Sequence, residues 1–259
     1  MLKVNFDVAD FVKDLTDIQL KQMPFAVSQA LNDSMFDIRQ AWMTQIGTVF
    51  DRPTPLTINA VLYTKSTKDN LVAQVYIRNE VAGGTSPAQY LQAEVAGGQR
   101  LAKPFENRLR NAGLLDSSEY IVPAKGFPLD QFGNIPATTQ RTILSDLQAL
   151  NDPQGNSTSA SRAARLRRKN VGKNSTYFES APVLSASQGK HQPLPRGIYQ
   201  KTRSGSGSKI RMVMAIVKTA PRYNKRFDAS ALAQQTFDAV FEGHFTTRLN
   251  LAVLGQRRV

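Results

Sequence analysis

Six apolar residues, Val27, Leu31, Met35, Ile38, Trp42 and Ile46, follow one another at spacings of three and four. An α-helix puts such a series on one side, because its 3.6-residue turn stacks positions i, i+3 and i+4. The stripe covers about five turns, so the rest of the chain must supply an apolar surface of that length. Pro24 suits the first turn of a helix, where a missing amide hydrogen costs nothing, and Gly47 suits its end. The pattern therefore predicts a helix over residues 24–47. Its other side carries Gln29, Asp33, Arg39 and Gln40, which must meet water or a polar partner. Trp42 sits on the apolar stripe and belongs to the core.

A second stripe lies near the other end. In residues 231–254, Phe237, Phe241, Phe245 and Leu249 share one face with Val240 beside them, which predicts a long helix weakened slightly by Gly243. Between the two helices the periodicity changes to two. Residues 57–64 and 71–78 are short runs rich in β-branched and aromatic residues, separated by turn-forming STKDN. They predict an antiparallel hairpin with Leu71, Ala73, Val75 and Ile77 on its buried face. Further strands are expected at 176–180, 197–202 and 209–217, the last a central one, forming a meander that extends the hairpin. The residues ahead of Pro24 suggest a short strand and then a helix. The fold class is thus α+β: one domain over 1–259, an antiparallel sheet flanked by long N- and C-terminal helices. With 259 residues, 41% of them hydrophobic, such a domain can bury a substantial core.

Two segments interrupt this scheme. Residues 79–150 form an insertion of loop and short helices. VAGG occurs there twice, at 81–84 and 95–98, but neither copy carries the Lys-Ser/Thr that a phosphate-cradling loop needs. Leu101, Phe105 and Leu109 mark a short amphipathic helix closed by Gly113, and a second short helix is expected over 136–150. Residues 151–175 are a flexible basic arm: Arg162, Arg165, Arg167, Arg168, Lys169 and Lys173 have no acid among them. The arm is a candidate contact for DNA or for an acidic neighbour.

The residue inventory argues against chemistry. With no cysteine there is no disulfide, no thiolate nucleophile and no cysteine-held zinc. The two histidines, His191 and His244, sit in no ligand-spaced cluster. Asp130, Glu106 and Asp146 could act as acids, but the sequence pairs none of them with a base. We therefore assign no catalytic residue, no metal and no cofactor. No apolar window approaches eighteen residues, and Asp7, Asp10 and Asp14 break any apolar core of a signal peptide. No membrane partner is expected, and the chain is expected to stay where it is made. The net charge of +13 attracts polyanions, nucleic acid being the usual one, or an acidic protein in an assembly.

The order of elements, with VAGGQR at 95–100, KPFENRLRNAGLL at 103–115, VPAKGFPLD at 122–130, FGNIP at 132–136, GIYQKT at 197–202 and APRYNKRFD at 220–228, resembles the tail-completion proteins of tailed bacteriophages, the minor tail protein Z-like family of head–tail joining proteins. The resemblance implies a virion protein made in the host cytoplasm. It would assemble as a homo-oligomeric ring at the neck or upper tail and help complete the tail and join it to the head. Its partners would be copies of itself, the portal or head–tail connector, tail-tube proteins and the DNA in the channel. Gly97, Gly98, Arg100, Lys103, Phe105, Phe132 and Asn134 are the expected subunit-interface residues. The alternative is a free basic nucleic-acid-binding protein using the arm over residues 162–173.

Overall fold

The computed structural model describes residues 3–7, 17–82, 84–167, 175–180, 194–204 and 207–256. The first apolar stripe folds into helix α1 (Asp17–Val49), with all six stripe residues fully buried. Pro24 lies inside this helix rather than at its start, which corrects the expected boundary. An internal proline costs about 3 kcal/mol. Met23, Ala26 and Val27 around it are at most 5% exposed, and burying a Val or Met side chain returns about 1.5–3 kcal/mol each. Tertiary packing therefore carries the helix through the proline.

The chain clusters into two compact units, residues 1–98 with 222–259, and residues 99–221. In the first unit, strand β1 (Lys3–Asp7) is followed by α1, a short helix α2 (Pro55–Ile58), and strands β2 (Val61–Thr64) and β3 (Val72–Ile77). Residues 55–58 are helical instead of extended because Thr54 caps them, its hydroxyl accepting the Thr57 amide hydrogen at 3.2 Å, and Pro55 takes the first helical position. The three strands form one antiparallel sheet in the order β1-β3-β2, with Val75 opposite both Val4 and Tyr63. Ala73, Val75 and Ile77 are buried as the alternation predicts, and Leu71 packs against the same core.

Helix α3 (Pro87–Ala96) leads to a two-residue strand β4 (Gly98–Gln99), where the chain leaves this unit. It returns through β9 (Arg222–Tyr223) and ends in helix α7 (Ala229–Gln256). The phenylalanines of α7 pack on the α1 core, with Phe237 stacked on Phe241 at 4.8 Å and Phe241 on Phe245 at 6.1 Å. The polar side of α1 meets α7 as well. Arg248 donates to both carboxylate oxygens of Asp33, at 2.6 and 2.9 Å, and His244 bonds Asp37 at 2.7 Å.

The second unit holds helix α4 (Pro104–Asn111), strand β5 (Tyr120–Pro123), helices α5 (Ala137–Asp146) and α6 (Ser159–Arg167), and strands β6 (Ser175–Ser180), β7 (Gly197–Ser204) and β8 (Gly207–Val217). The strands form an antiparallel sheet ordered β5-β8-β7-β6. This corrects the expected single sheet: the later strands do not extend the hairpin of the first unit. They build their own core from Phe105, Leu109, Ile121, Ile143, Leu144, Ile198, Val213 and Met214. Pairing with β5, from within the supposed loop insertion, is what separates them. The inserted body accordingly runs over 99–221 rather than 79–150. Both units combine helices with antiparallel sheet, and the fold is α+β.

Candidate functional site

Of the residues expected at a subunit interface, several do structural work in the second unit. Phe105 is buried in the core. The Arg100 side chain is 9% exposed and grips the carboxylate of Glu106, itself 1% exposed, at 2.8 and 2.5 Å. Lys103 precedes α4, and its backbone N–H donates to the same carboxylate at 2.8 Å. Ile121 supplies a fourth donor from β5, also at 2.8 Å. Burial would raise the Glu106 carboxyl, but the Arg100 guanidinium and the two backbone donors together hold it below its ordinary range. The guanidiniums of Arg100 and Arg110 both lie over the Tyr120 ring, at 5.3 and 5.4 Å.

The other expected interface residues lie in turns. Gly97 (φ 76) ends α3 and Gly98 follows it at φ 105, conformations that favour glycine. Phe132 and Asn134 lie in a turn organised by Asp130, whose carboxylate accepts both of their amide hydrogens, at 2.9 and 2.8 Å. Asn134 is exposed there and Phe132 half-buried.

The candidate acids are placed by the same logic. Glu106 and Asp130 are engaged as described, and Asp146 accepts the Tyr177 amide hydrogen at 2.9 Å while 6% exposed. A second carboxylate clamp centres on Arg196, which donates to Glu119 at 2.9 and 3.0 Å and to Glu179 at 3.0 Å. Its guanidinium holds the Glu119 carboxyl below the usual range, whereas burial pushes Glu179 up. Among the described residues no group of three or more His, Cys, Asp or Glu is placed to hold a metal. His244 belongs to the α1–α7 pair, and His191 lies outside the described residues. A groove of about 340 Å³ beside α5 is lined by Thr138, Arg141, Thr142 and Ser145. The Thr142 and Ser145 hydroxyls donate to the backbone carbonyls of Thr138 and Gly155.

The basic arm divides. Arg162 is anchored, its guanidinium donating to the carbonyls of Asp146 at 3.1 Å and Ser157 at 2.9 Å. It thereby closes the C-terminus of α5, as cations at helix ends do. Arg165 and Arg167 belong to α6, so that part of the arm is helical. Arg168, Lys169 and Lys173 lie outside the described residues.

The arm is part of a larger cationic feature. Residues 153–227 hold sixteen of the thirty-three Lys and Arg but one of the twenty Asp and Glu, a net +15 that leaves the rest of the chain at −2. By unit, residues 99–221 carry nineteen cations against seven acids, +12, and the first unit is left with +1. Four of these sixteen cations sit on the β7–β8 hairpin, where Lys201, Arg203, Lys209 and Arg211 are all exposed. Reading for consecutive cations finds the arm and passes over the hairpin, because its cations alternate with Gly, Ser and apolar residues. Counting acids along the chain finds it. No helix among the described residues is long and apolar enough to cross a membrane. No family model, curated protein or solved structure matches this chain.

Proposed function

We propose that this chain is a structural subunit of a bacteriophage neck or upper tail, assembling as a ring that helps complete the tail and join it to the head. The observation that carries this reading is the segregation of charge: one unit is nearly neutral and the other carries +12. A ring around a DNA-filled channel needs surfaces that pack against identical neighbours and surfaces that face a polyanion, and unlike charge on two units supplies both. The near-neutral unit also exposes large apolar side chains. Phe25 (50%) and Phe36 (45%) lie eleven residues apart on α1, hence on one helical face, and Leu251 (58%) lies on α7. Exposed apolar groups gathered on helices suit contact with another copy. The elaborate turns at Gly97–Gly98 and Asp130–Asn134 add shaped backbone at the surface.

The test has two arms. Mass spectrometry of purified virions should find the chain at ring stoichiometry, and sedimentation of the purified protein should show self-association that Phe25→Ser/Phe36→Ser abolishes. A monomer at every concentration, absent from virions, would sink the reading. The second reading, a free nucleic-acid-binding protein, is favoured by the +15 of residues 153–227. It predicts salt-sensitive DNA binding by a protein that never enters particles.

A further inference from the structure

We infer that the β7–β8 hairpin is a DNA-binding arm, with Lys201, Arg203 and Lys209 contacting phosphates of a double-stranded segment. The geometry starts from the register. Lys201 pairs with Ile210, Thr202 with Lys209 and Arg203 with Ser208, so Lys201, Arg203 and Ile210 share one face while Lys209 lies on the other. Five consecutive β8 residues, Gly207–Arg211, are exposed. Since successive side chains point to opposite faces, a continuous exposed run means that both faces of this end of β8 are open.

At its base the ribbon is fixed. The Arg211 guanidinium lies 4.8 Å over the Phe127 ring and donates to Gln200 at 3.0 Å, and Val213 and Met214 just beyond are buried. As far as Thr202, β7 is also paired with β6, Lys201 lying opposite Thr176. Beyond Thr202, among the described residues, only β7 and β8 remain paired. This end of the sheet is held by a core and carries cations on both faces. Among the described residues no carboxylate bonds Lys201, Arg203 or Lys209, and residues 180–227 contain no acid at all.

The shape selects among polyanions. The two-stranded end beyond Thr202 fits the major groove of duplex DNA, and Arg203 and Lys209 on its two faces meet phosphates on both walls, with Lys201 at its base where β6 flanks β7. Lys201 and Arg203, two residues apart on one strand, are separated by about 6.8 Å along it. Ile210, 50% exposed between the cations, offers an apolar contact to a base edge such as the thymine methyl. A single-stranded ligand would require exposed aromatic rings for stacking. Here Tyr199 and Phe178 stack on each other at 5.7 Å, and Tyr199 is 3% exposed.

The experiment uses the full chain, a short fluorescent duplex and anisotropy read as salt rises from about 50 to 200 mM. Lys201→Ala/Arg203→Ala/Lys209→Ala should weaken binding at least ~10-fold and flatten the slope of log K against log salt by about 3, near one per lost phosphate contact. Lys201→Arg/Arg203→Lys/Lys209→Arg keeps the charge and should keep the binding. Lys65→Ala/Lys68→Ala/Lys125→Ala removes the same charge from other exposed sites and should change the slope by less than about one. The inference is overturned if wild type does not bind duplex at about 50 mM salt, if the control triple loses as much as the hairpin triple, or if a single strand binds more tightly than the duplex. It goes beyond ring assembly and fails separately from it: DNA binding intact in a protein absent from virions removes only the assembly reading.

Discussion

Glu106 receives four hydrogen bonds, two from Arg100 and one each from the backbones of Lys103 and Ile121. It thus ties α4, the segment before it and β5 together around one carboxylate. Removing one partner of a buried pair costs about 3–5 kcal/mol, because the other charge is left without compensation. Glu106→Gln should therefore lower the free energy of unfolding by about 3 kcal/mol in urea titrations. A loss below about 1 kcal/mol would mean that solvent reaches the pair. The pH dependence follows from the same groups. Glu106 and Glu119 are held below their ordinary range in the fold, so the stability they add is complete above the unfolded glutamate value of about 4.3. It is lost as pH falls through their lower folded values. Glu179, raised by burial, works in the opposite direction and loses a penalty on protonation. The melting temperature should hold from about pH 7 to 5 and fall below about 4.3, and Glu119→Gln should flatten that fall. None of this was visible in the sequence. Glu106 reads there as a possible acid, and only the fold brings Arg100 and the Ile121 backbone to it.

At the scale of elements, periodicity did its work wherever one element was long enough to show several turns. The stripe of α1 and the alternation of β3 predict buried residues correctly, and the stripe of α7 predicts the half-buried face that packs on the α1 core, because a half-buried helix or strand must repeat at its own period. Pairing between strands has no such local signature, since β5 is four residues long and its partner β8 lies about ninety residues away. Two glycines test the difference between local and tertiary constraint. At Gly197, where β7 starts, an added Cβ would sit 2.6 Å from the Met214 carbonyl oxygen and force backbone apart. Gly197→Ala should destabilise by about 1–3 kcal/mol. At Gly243, in the middle of α7, an added Cβ meets nothing within 4 Å. Gly243→Ala should stabilise by about 0.5–1 kcal/mol, since glycine is the poorer helix former. Thermal unfolding of both variants checks the signs.

At the scale of the molecule, the second unit is an insertion whose ends meet. The Arg100 amide donates to the Pro221 carbonyl at 3.3 Å, so residues 99–221 enter and leave at one place, as inserted domains do. Expressed alone, these residues should melt cooperatively and keep whatever duplex affinity the whole chain has. A noncooperative melt would show that residues 99–221 are not a folding unit. The charge asymmetry was legible in the sequence as a count, and the two-unit division was not, because no linker-like composition marks either crossing.

The pairing of α1 with α7 has a temporal consequence. The helix that covers the α1 core begins roughly 180 residues after α1 ends. At about 5–20 residues per second, roughly 9–36 s of synthesis pass between the two. Throughout that interval the stripe from Val27 to Ile46 lacks its final cover, and the inserted unit is completed before α7 begins. A ribosome stalled just before α7 emerges would hold a cationic unit free to fold and an apolar one still uncovered, and chaperone demand should peak there and end with α7.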